Sequence, residues 1–330
     1  ITLFDNRLSL GLTYYNTLSS NQIVVIPISN TTGYSSRYVN AGDIRNQGIE
    51  LSLAVTPLRL SNSLTWQSRF NFSRNVGKVE KIAKGYDQYV YSWCAIYSDQ
   101  DARVYAIAKE GERMGNLYGT GFKHTPDGSI LVDESGLPVA DPTLVKLGNY
   151  NPDFILGWSN SLRYKGFTFD FLLDWHQGGV FVSRTFGMGM ESGVLKQTED
   201  RTPEHMVMKG ECYDAATDQY VTNTKQVSPR DYYRNLYRRY HETQSTFSAT
   251  FLKLREVSIG YDLPKRWLSH TPVKALNLSI VGRNLWMWTK GQDMVDPEAV
   301  TYEGNSVTPG VEEMSYPTMR SLGFSVHATF

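Results

Sequence analysis

Residues 167–176 read FTFDFLLDWH, and how this stretch is read decides the fold. Taken two at a time, Phe167, Phe169, Phe171, Leu173 and Trp175 fall on one side, and Thr168, Asp170, Asp174 and His176 on the other. That is period two, the mark of a β-strand with one apolar and one polar face. Two architectures use such a strand. In a sandwich the aromatic row meets a second sheet; in a membrane barrel it meets lipid while the polar row lines a wet lumen.

Seven other stretches obey the same rule. RLSLGLTYY sets Leu8, Leu10, Leu12 and Tyr14 against Ser9, Gly11 and Thr13, and GIELSLAV sets Ile49, Leu51, Leu53 and Val55 against Glu50, Ser52 and Ala54. SLTWQSRFNFS gives Leu64, Trp66, Phe70 and Phe72 against Thr65, Gln67, Arg69 and Asn71, and FILGWSNSLRY carries Phe154, Leu156, Trp158, Leu162 and Tyr164. LNLSIVGRNLW places Leu276, Leu278 and Ile280 opposite Asn277, Ser279 and Arg283. The final YPTMRSLGFSVHATF places Leu322, Phe324, Val326, Ala328 and Phe330 opposite Ser321, Gly323, Ser325, His327 and Thr329. TFLKLREVSIGYDLP, residues 250–264, changes phase near Arg255 and Glu256, which predicts a β-bulge.

The connections separate the two architectures. TPLRLSN, the turn at Lys165 and Gly166, and PKRWLSHTPVK are short, whereas roughly residues 18–45, 75–152, 177–246 and 288–319 are long. Short and long alternate, so the short turns gather at one end of the sheet and the long loops at the other. Greek-key sandwiches do not sort their loops in this way, and outer-membrane barrels do. The aromatics agree: Trp66, Tyr164, Phe167 and Tyr261 stand by short turns, and Tyr14, Trp175, Trp286 and Trp288 by long loops. Two girdles at the strand ends are what lipid interfaces select.

Composition narrows the function classes. Lys+Arg and Asp+Glu number 33 each in 330 residues, which leaves no bulk charge to recruit nucleic acid or an anionic surface. No apolar run approaches the ~18 residues of a membrane helix, and a mean hydropathy of -0.37 is compatible with barrel strands, which give lipid only every second residue. The opening ITLFDNRLSLGL lacks the basic start and apolar core of a signal peptide. Cys94 and Cys212 leave one disulfide open, and neither their spacing nor the scattered His residues form a metal motif.

Catalysis finds no anchor. Asp170 and Asp174 are four residues apart on one strand face, about 13 Å by strand rise, too far for a glycosidase pair on that strand alone. No nucleophile elbow surrounds any Ser. HTPDGSILVDESGLP, residues 124–138, lacks EF-hand spacing and reads as two turns, at Asp127-Gly128 and Ser135-Gly136. RDYYRNLYRRYHE, residues 230–242, is basic and aromatic but lies in a long loop of a neutral chain. The sequence points to no enzyme, no cofactor and no metal.

Seven segments, in order, resemble the C-terminal barrel half of the SusC/RagA-like TonB-dependent transporters of Bacteroidota outer membranes. They are FDNRLSLGLTYYN, AGDIRNQGIELSL, EGERMGNLYGTGF, KLGNYNPDFILGWSNSLRYKGFTFDFLLDW, FLKLREVSIGYDLP, VGRNLWMWTKGQDMVDPE and SYPTMRSLGF. LREVSIGYDLP followed by GRNLW is the most specific pair. The resemblance implies an all-β chain: about eight antiparallel strands of a transmembrane β-barrel of about 22, the size class whose lumen holds a plug, with long extracellular loops and short periplasmic turns. The plug, the TonB-contacting segment and the earlier strands are expected outside residues 1–330, in the remaining part of the same transporter. It further implies import of an oligosaccharide or peptide, a SusD-like surface lipoprotein as lid, and energy from TonB-ExbB-ExbD.

Ligand contact is expected at Trp93, Tyr97, Tyr118, Tyr213, Tyr232 and Tyr233 in the long loops and at Asp174, His176 and Arg283 on the polar faces, with loop packing the ordinary alternative for any one ring. Lipid contact is expected at Phe167, Phe169, Phe171, Leu276, Leu278, Phe324 and Val326, and Phe330 resembles the terminal aromatic presented to the barrel-assembly machinery. Two alternatives carry their own signatures. A soluble all-β glycan-binding or glycan-cleaving protein requires Phe167, Phe169, Phe171 and Trp175 to pack on a second sheet. A self-closed barrel, serving as anchor or adhesin, requires residues 7–15 to pair with 320–330.

Overall fold

A computed structural model describes residues 1–27, 31, 33–40, 42–60, 64–96, 99–237, 242–298, 301–303 and 306–330. Eight long strands run through it: β1 (Leu8–Ser19), β2 (Asp43–Arg59), β3 (Leu64–Lys81), β4 (Phe154–Tyr164), β5 (Phe167–Gln177), β6 (Phe251–Asp262), β7 (Ala275–Thr289) and β8 (Ser321–Thr329). Each pairs antiparallel with the next, so the sheet is one continuous meander. A two-residue strand, Thr2–Leu3, pairs with the start of β1.

The register follows the period-two pattern. Opposed residues share a face, so pairings such as Tyr164↔Phe167↔Tyr261↔Leu278↔Val326 carry one apolar row across five strands. The short turns sit at one end. At Lys165-Gly166 both residues have positive φ, 47° and 89°, the geometry of a tight hairpin that glycine tolerates and that matches strand twist. Between β6 and β7 a single helical turn, α1 (Lys265–Leu268), fills the connection. The expected bulge is present: Leu172 pairs with Glu256 and Leu173 with Leu254, leaving Arg255 outside the ladder. It brings Lys253, Arg255 and Glu256 to the polar face while Leu254 and Val257 keep to the apolar one.

The apolar face has no cover. Phe167 is 56% exposed, Ile280 66% and Phe324 83%. The rings on this face touch one another, as in Trp158 edge-on to Phe171 at 5.4 Å and Phe154 edge-on to Trp175 at 5.1 Å. With Phe167, Phe169 and Trp175 exposed, the sandwich reading loses its requirement. The self-closed barrel fails too, because β1 and β8 lie at opposite ends of the sheet and do not pair.

The buried core lies instead in the long connections. Val104, Ala106, Leu117, Val182 and Val311 are at most 1% exposed and cluster across three loops. The strand Asn116–Phe122 is buried throughout. Val311–Glu312 pairs in parallel with Val180–Ser183, tying the last loop to the one before it. Ser183 then caps α2 (Arg184–Glu191) by accepting from the Phe186 N–H. A second cluster of Phe186, Met190, Met206 and Tyr233 packs α2 against α3 (Pro229–Leu236), whose cap Ser228 accepts from the Asp231 N–H. Glu242 fits a glycine notch: a Cβ on Gly119 would stand 2.8 Å from the Glu242 Cβ, and the Glu242 carboxylate accepts from the Thr120 N–H at 2.7 Å and its hydroxyl at 2.8 Å. Burial pushes the Glu242 carboxyl up.

Candidate functional site

The polar face carries two features, one at each end of the strands. At the loop end, Lys253 on β6 is almost fully buried and donates to Asp296 Oδ1 at 2.6 Å and Oδ2 at 2.8 Å, and also to Glu298. Arg255 donates through Nε to Asp174 Oδ2 at 2.9 Å and through its terminal nitrogen to Glu298 at 2.6 Å. His176 Nε2 lies 3.5 Å from Asp174, and its ring stacks on Phe251 at 4.4 Å. Thr318 donates to Asp296 from the far end of the same loop.

Burial by itself would raise the Asp296 and Glu298 carboxyls. The hydrogen bonds from Lys253 and Thr318 to Asp296, and from Arg255 and Lys253 to Glu298, outweigh it and hold both below the usual range. Asp174, His176 and Glu298 bring ligand-type atoms within 4.8 Å of one another. The guanidinium of Arg255 already bridges the two carboxylates, so the positive charge there is built in. The network joins the last loop to the wall of the sheet.

Toward the turn end the same face is hollowed by a concavity of about 390 Å³ lined by Arg69, Ser159, Ser161, Arg163, Asp170 and Glu256, among others. Glu256 pairs with Arg283 at 2.9 Å. Arg69, Arg163 and Asp170 have no ion-pair partner among the described residues, so two cations and a carboxylate stand ready for a polar occupant. A smaller cavity of about 260 Å³ opens where Ile44 and Val79 meet Tyr86, Tyr89, Tyr91 and Met114 of the second long loop.

The expected ligand residues divide accordingly. Asp174, His176 and Arg283 lie on the polar face, Asp174 and Arg283 bound in ion pairs. Tyr118 is buried, its hydroxyl donating to Glu112 and pushed up to about 12 by burial and that carboxylate. Tyr233 is buried between the helices and donates to the Asp200 carbonyl at 2.7 Å; Tyr232 packs edge-on against it. Tyr118 and Tyr233 thus pack within the loops, and Tyr232 is half-buried beside Tyr233. Tyr213 is exposed, packed against Tyr220 and donating to Asp218 at 2.6 Å. Trp93's side chain and all of Tyr97 lie outside the described residues, as does the Cys94 side chain, while Cys212 is a free thiol.

The acidic segment 124–138 is two turns, as expected. Asp127 accepts from the Ser129 N–H and Asp133 from the Ser135 and Leu137 N–H groups. Sequence reasoning missed Lys253, Asp296 and Glu298, because each partner is ordinary until the last loop folds back over 43 residues. The phase change at Arg255 was the available signal.

Residues 1–182 match the family model described as TonB dependent receptor-like, beta-barrel. Two TonB-dependent receptors of Formosa agariphila align over the whole chain: P3 at 27% identity and P26 at 24%. The chain spans 33% of the length of each. Among solved structures, the RagAB peptide transporter superposes with a TM-score of 0.69 at 19% identity, covering 100% of this chain and 34% of that one. The RagAB peptide importer in its 'open-open' state gives 0.66 at 17%, covering 100% of this chain and 33% of that one. These likenesses give the fold of a barrel wall.

Proposed function

Because the chain belongs to the TonB-dependent receptor-like β-barrel family of the outer membrane, we propose that residues 1–330 are the C-terminal wall of a TonB-dependent importer for an oligosaccharide or peptide nutrient. The observation that carries this is the two-faced sheet: an uncovered apolar face between aromatic girdles, and a polar face with unpaired charge. From Phe167 to Trp175 is eight residues, about 20 Å of height for strands tilted near 40°, close to the apolar band of such barrels. Phe167, Phe169, Phe171, Leu276, Leu278, Phe324 and Val326 meet acyl chains, and Arg69, Asp170 and Arg163 meet the lumen.

The short turns then face the periplasm and the packed loops form the extracellular cap. Plug and TonB-contacting segment belong to the rest of the transporter. Substrate enters among the loops, where a SusD-like lipoprotein serves as lid, and passes the polar wall without covalent chemistry. RagAB, a peptide transporter by name, supports a peptide as one of the two substrate classes.

The test is uptake of labelled oligosaccharide and peptide libraries by cells carrying the full-length transporter, with and without TonB. Uptake that needs both the transporter and TonB, with a lipoprotein co-purifying in detergent, is the expected result. A protein that stays in the soluble fraction without detergent contradicts it.

A further inference from the structure

The apolar face is not uniform at its loop end. Across β1, β2 and β3 the rows above the apolar band read Tyr14↔Ile49↔Arg74, then Asn16↔Gln47↔Val76, then Leu18↔Arg45↔Lys78. All of these share the face that carries Leu12, Leu51 and Phe72, so Arg74, Lys78 and Arg45 project outward with them. On the other strands the corresponding border is aromatic, with Phe154, Trp175, Trp286 and Trp288, and a lone Lys290 beyond it.

Height places the cations. Arg74 is ten residues above Leu64, which pairs with the girdle residue Tyr164; at a tilt near 40° that is about 25 Å, the full thickness of the apolar band. Arg74 therefore stands where acyl chains give way to headgroups on the long-loop side, and Lys78 and Arg45 stand about 10 Å higher. Arg45 is engaged by Glu80 at 3.0 Å and Asn16 at 3.1 Å, and Lys78 lies 3.8 Å from Glu80. Arg74 has no ion-pair partner among the described residues. The patch holds three cations against one carboxylate, and the neighbouring Arg113–Asp153 pair at 3.1 Å adds no net charge.

We propose that Arg74 and Lys78, with the amides of Gln47 and Asn16 between them, form a site for the phosphate of an outer-leaflet lipid headgroup. A guanidinium matches phosphate through two parallel N–H donors, and an ammonium adds a point charge from above. Val76 lies between the two cations and gives the site an apolar floor that suits the glycerol or sugar carrying the phosphate, with Lys78 turning from Glu80, 3.8 Å away, toward the bound phosphate. The source is a lipid and not free phosphate, because the approach to Arg74 is from the apolar band. The site rests on the apolar face meeting lipid.

The experiment uses the full-length transporter in nanodiscs. Retention of lipid A carrying its phosphate is compared with retention of the same lipid after enzymatic dephosphorylation, by native mass spectrometry, for the wild type and for Arg74→Gln/Lys78→Gln. The wild type is expected to retain the phosphorylated lipid about tenfold better, the double variant to fall to the level of the dephosphorylated lipid, and millimolar inorganic phosphate to leave retention unchanged. Equal retention of both lipids, an unaffected double variant, or displacement by inorganic phosphate would each overturn the site. A spin label at Leu53→Cys separates the two levels of failure. Loss of its contact with acyl chains condemns the lipid-facing assignment, whereas retained contact without phosphate preference condemns only the site.

Discussion

The wall and the cap of this molecule bury opposite things. In the eight-stranded wall, Ile280 and Phe324 face outward uncovered while polar residues gather inside. In the cap, Leu117, Val182 and Val311 are fully buried, as in a soluble domain. Among the large fully buried apolar side chains of the described residues, Phe251 alone belongs to the wall, and it sits at the junction with the cap. One chain thus follows two solvents: hydrocarbon sets the pattern where strands cross the bilayer, and water sets it where loops fold above it.

The junction is where the comparison breaks most easily. Lys253→Ala leaves Asp296 and Glu298 buried beside one cation fewer, and is expected to cost about 3–5 kcal/mol. Urea unfolding and proteolysis of the segment around Asp296 read this loss, with the wall strands still protected. Leu117→Ala removes a side chain from the cap core and should cost about 2–5 kcal/mol. The partner experiment, Leu278→Ala on the apolar face, should cost far less, because lipid fills the space that a cavity would occupy. Equal effects at Leu117 and Leu278 would erase the distinction between wall and cap.

Next comes the solvent itself. Phe171→Arg puts a cation on the apolar face near mid-height and is expected to destabilise the folded barrel in vesicles by about 2–4 kcal/mol. Arginine at Ser161, on the polar face of the paired strand, should be tolerated.

The smallest effect is with pH, and its sign differs between the two regions. Asp296 and Glu298 titrate below their usual values. Their contribution is complete above the unfolded-state values of about 4 and is lost as pH falls through the lower folded ones. Burial holds Glu242 above its usual value, against the Thr120 hydrogen bonds that favour its ionised form, so the folded loop around it gains relative stability as pH falls through that raised value toward the unfolded one. Hydrogen exchange at the Glu298 amide and at the amide of Leu117, in the buried strand beside Glu242, should move in opposite directions across an acid titration.

The wall was legible in the sequence because period two is a local signal that survives tertiary context. All eight strands, their sorted turns and loops, and the bulge at Arg255 follow from it. Some of its chemistry escaped even so. Asn160 and Ser68 sit on the apolar face, where Asn160 accepts from the Trp66 indole at 3.0 Å and Ser68 from the Trp158 indole at 2.8 Å. Trp66 is therefore a polar clasp as well as a girdle residue.

The cap was not legible. Its helices α2 and α3 are eight residues each, too short for a helical period to stand out. Its core joins residues as distant as Val104 and Val311. The burial of Tyr118 and Tyr233 was not foreseen, because nothing local marks a loop aromatic as buried. The ionic network was hidden for the same reason, since Asp296 and Glu298 meet Lys253 only after the last loop folds back.

The most direct measurement is a nitroxide scan along β5 in the full-length transporter reconstituted in vesicles, reading collision with a lipid-soluble and a water-soluble relaxant from 167 to 176. Labels at 167, 169, 171, 173 and 175 are expected to meet the lipid relaxant, and labels at 168, 170, 172, 174 and 176 to be shielded from it and to face the aqueous or protein-filled interior. A scan without alternation, or odd positions shielded from both relaxants as under a second sheet, would contradict the membrane wall.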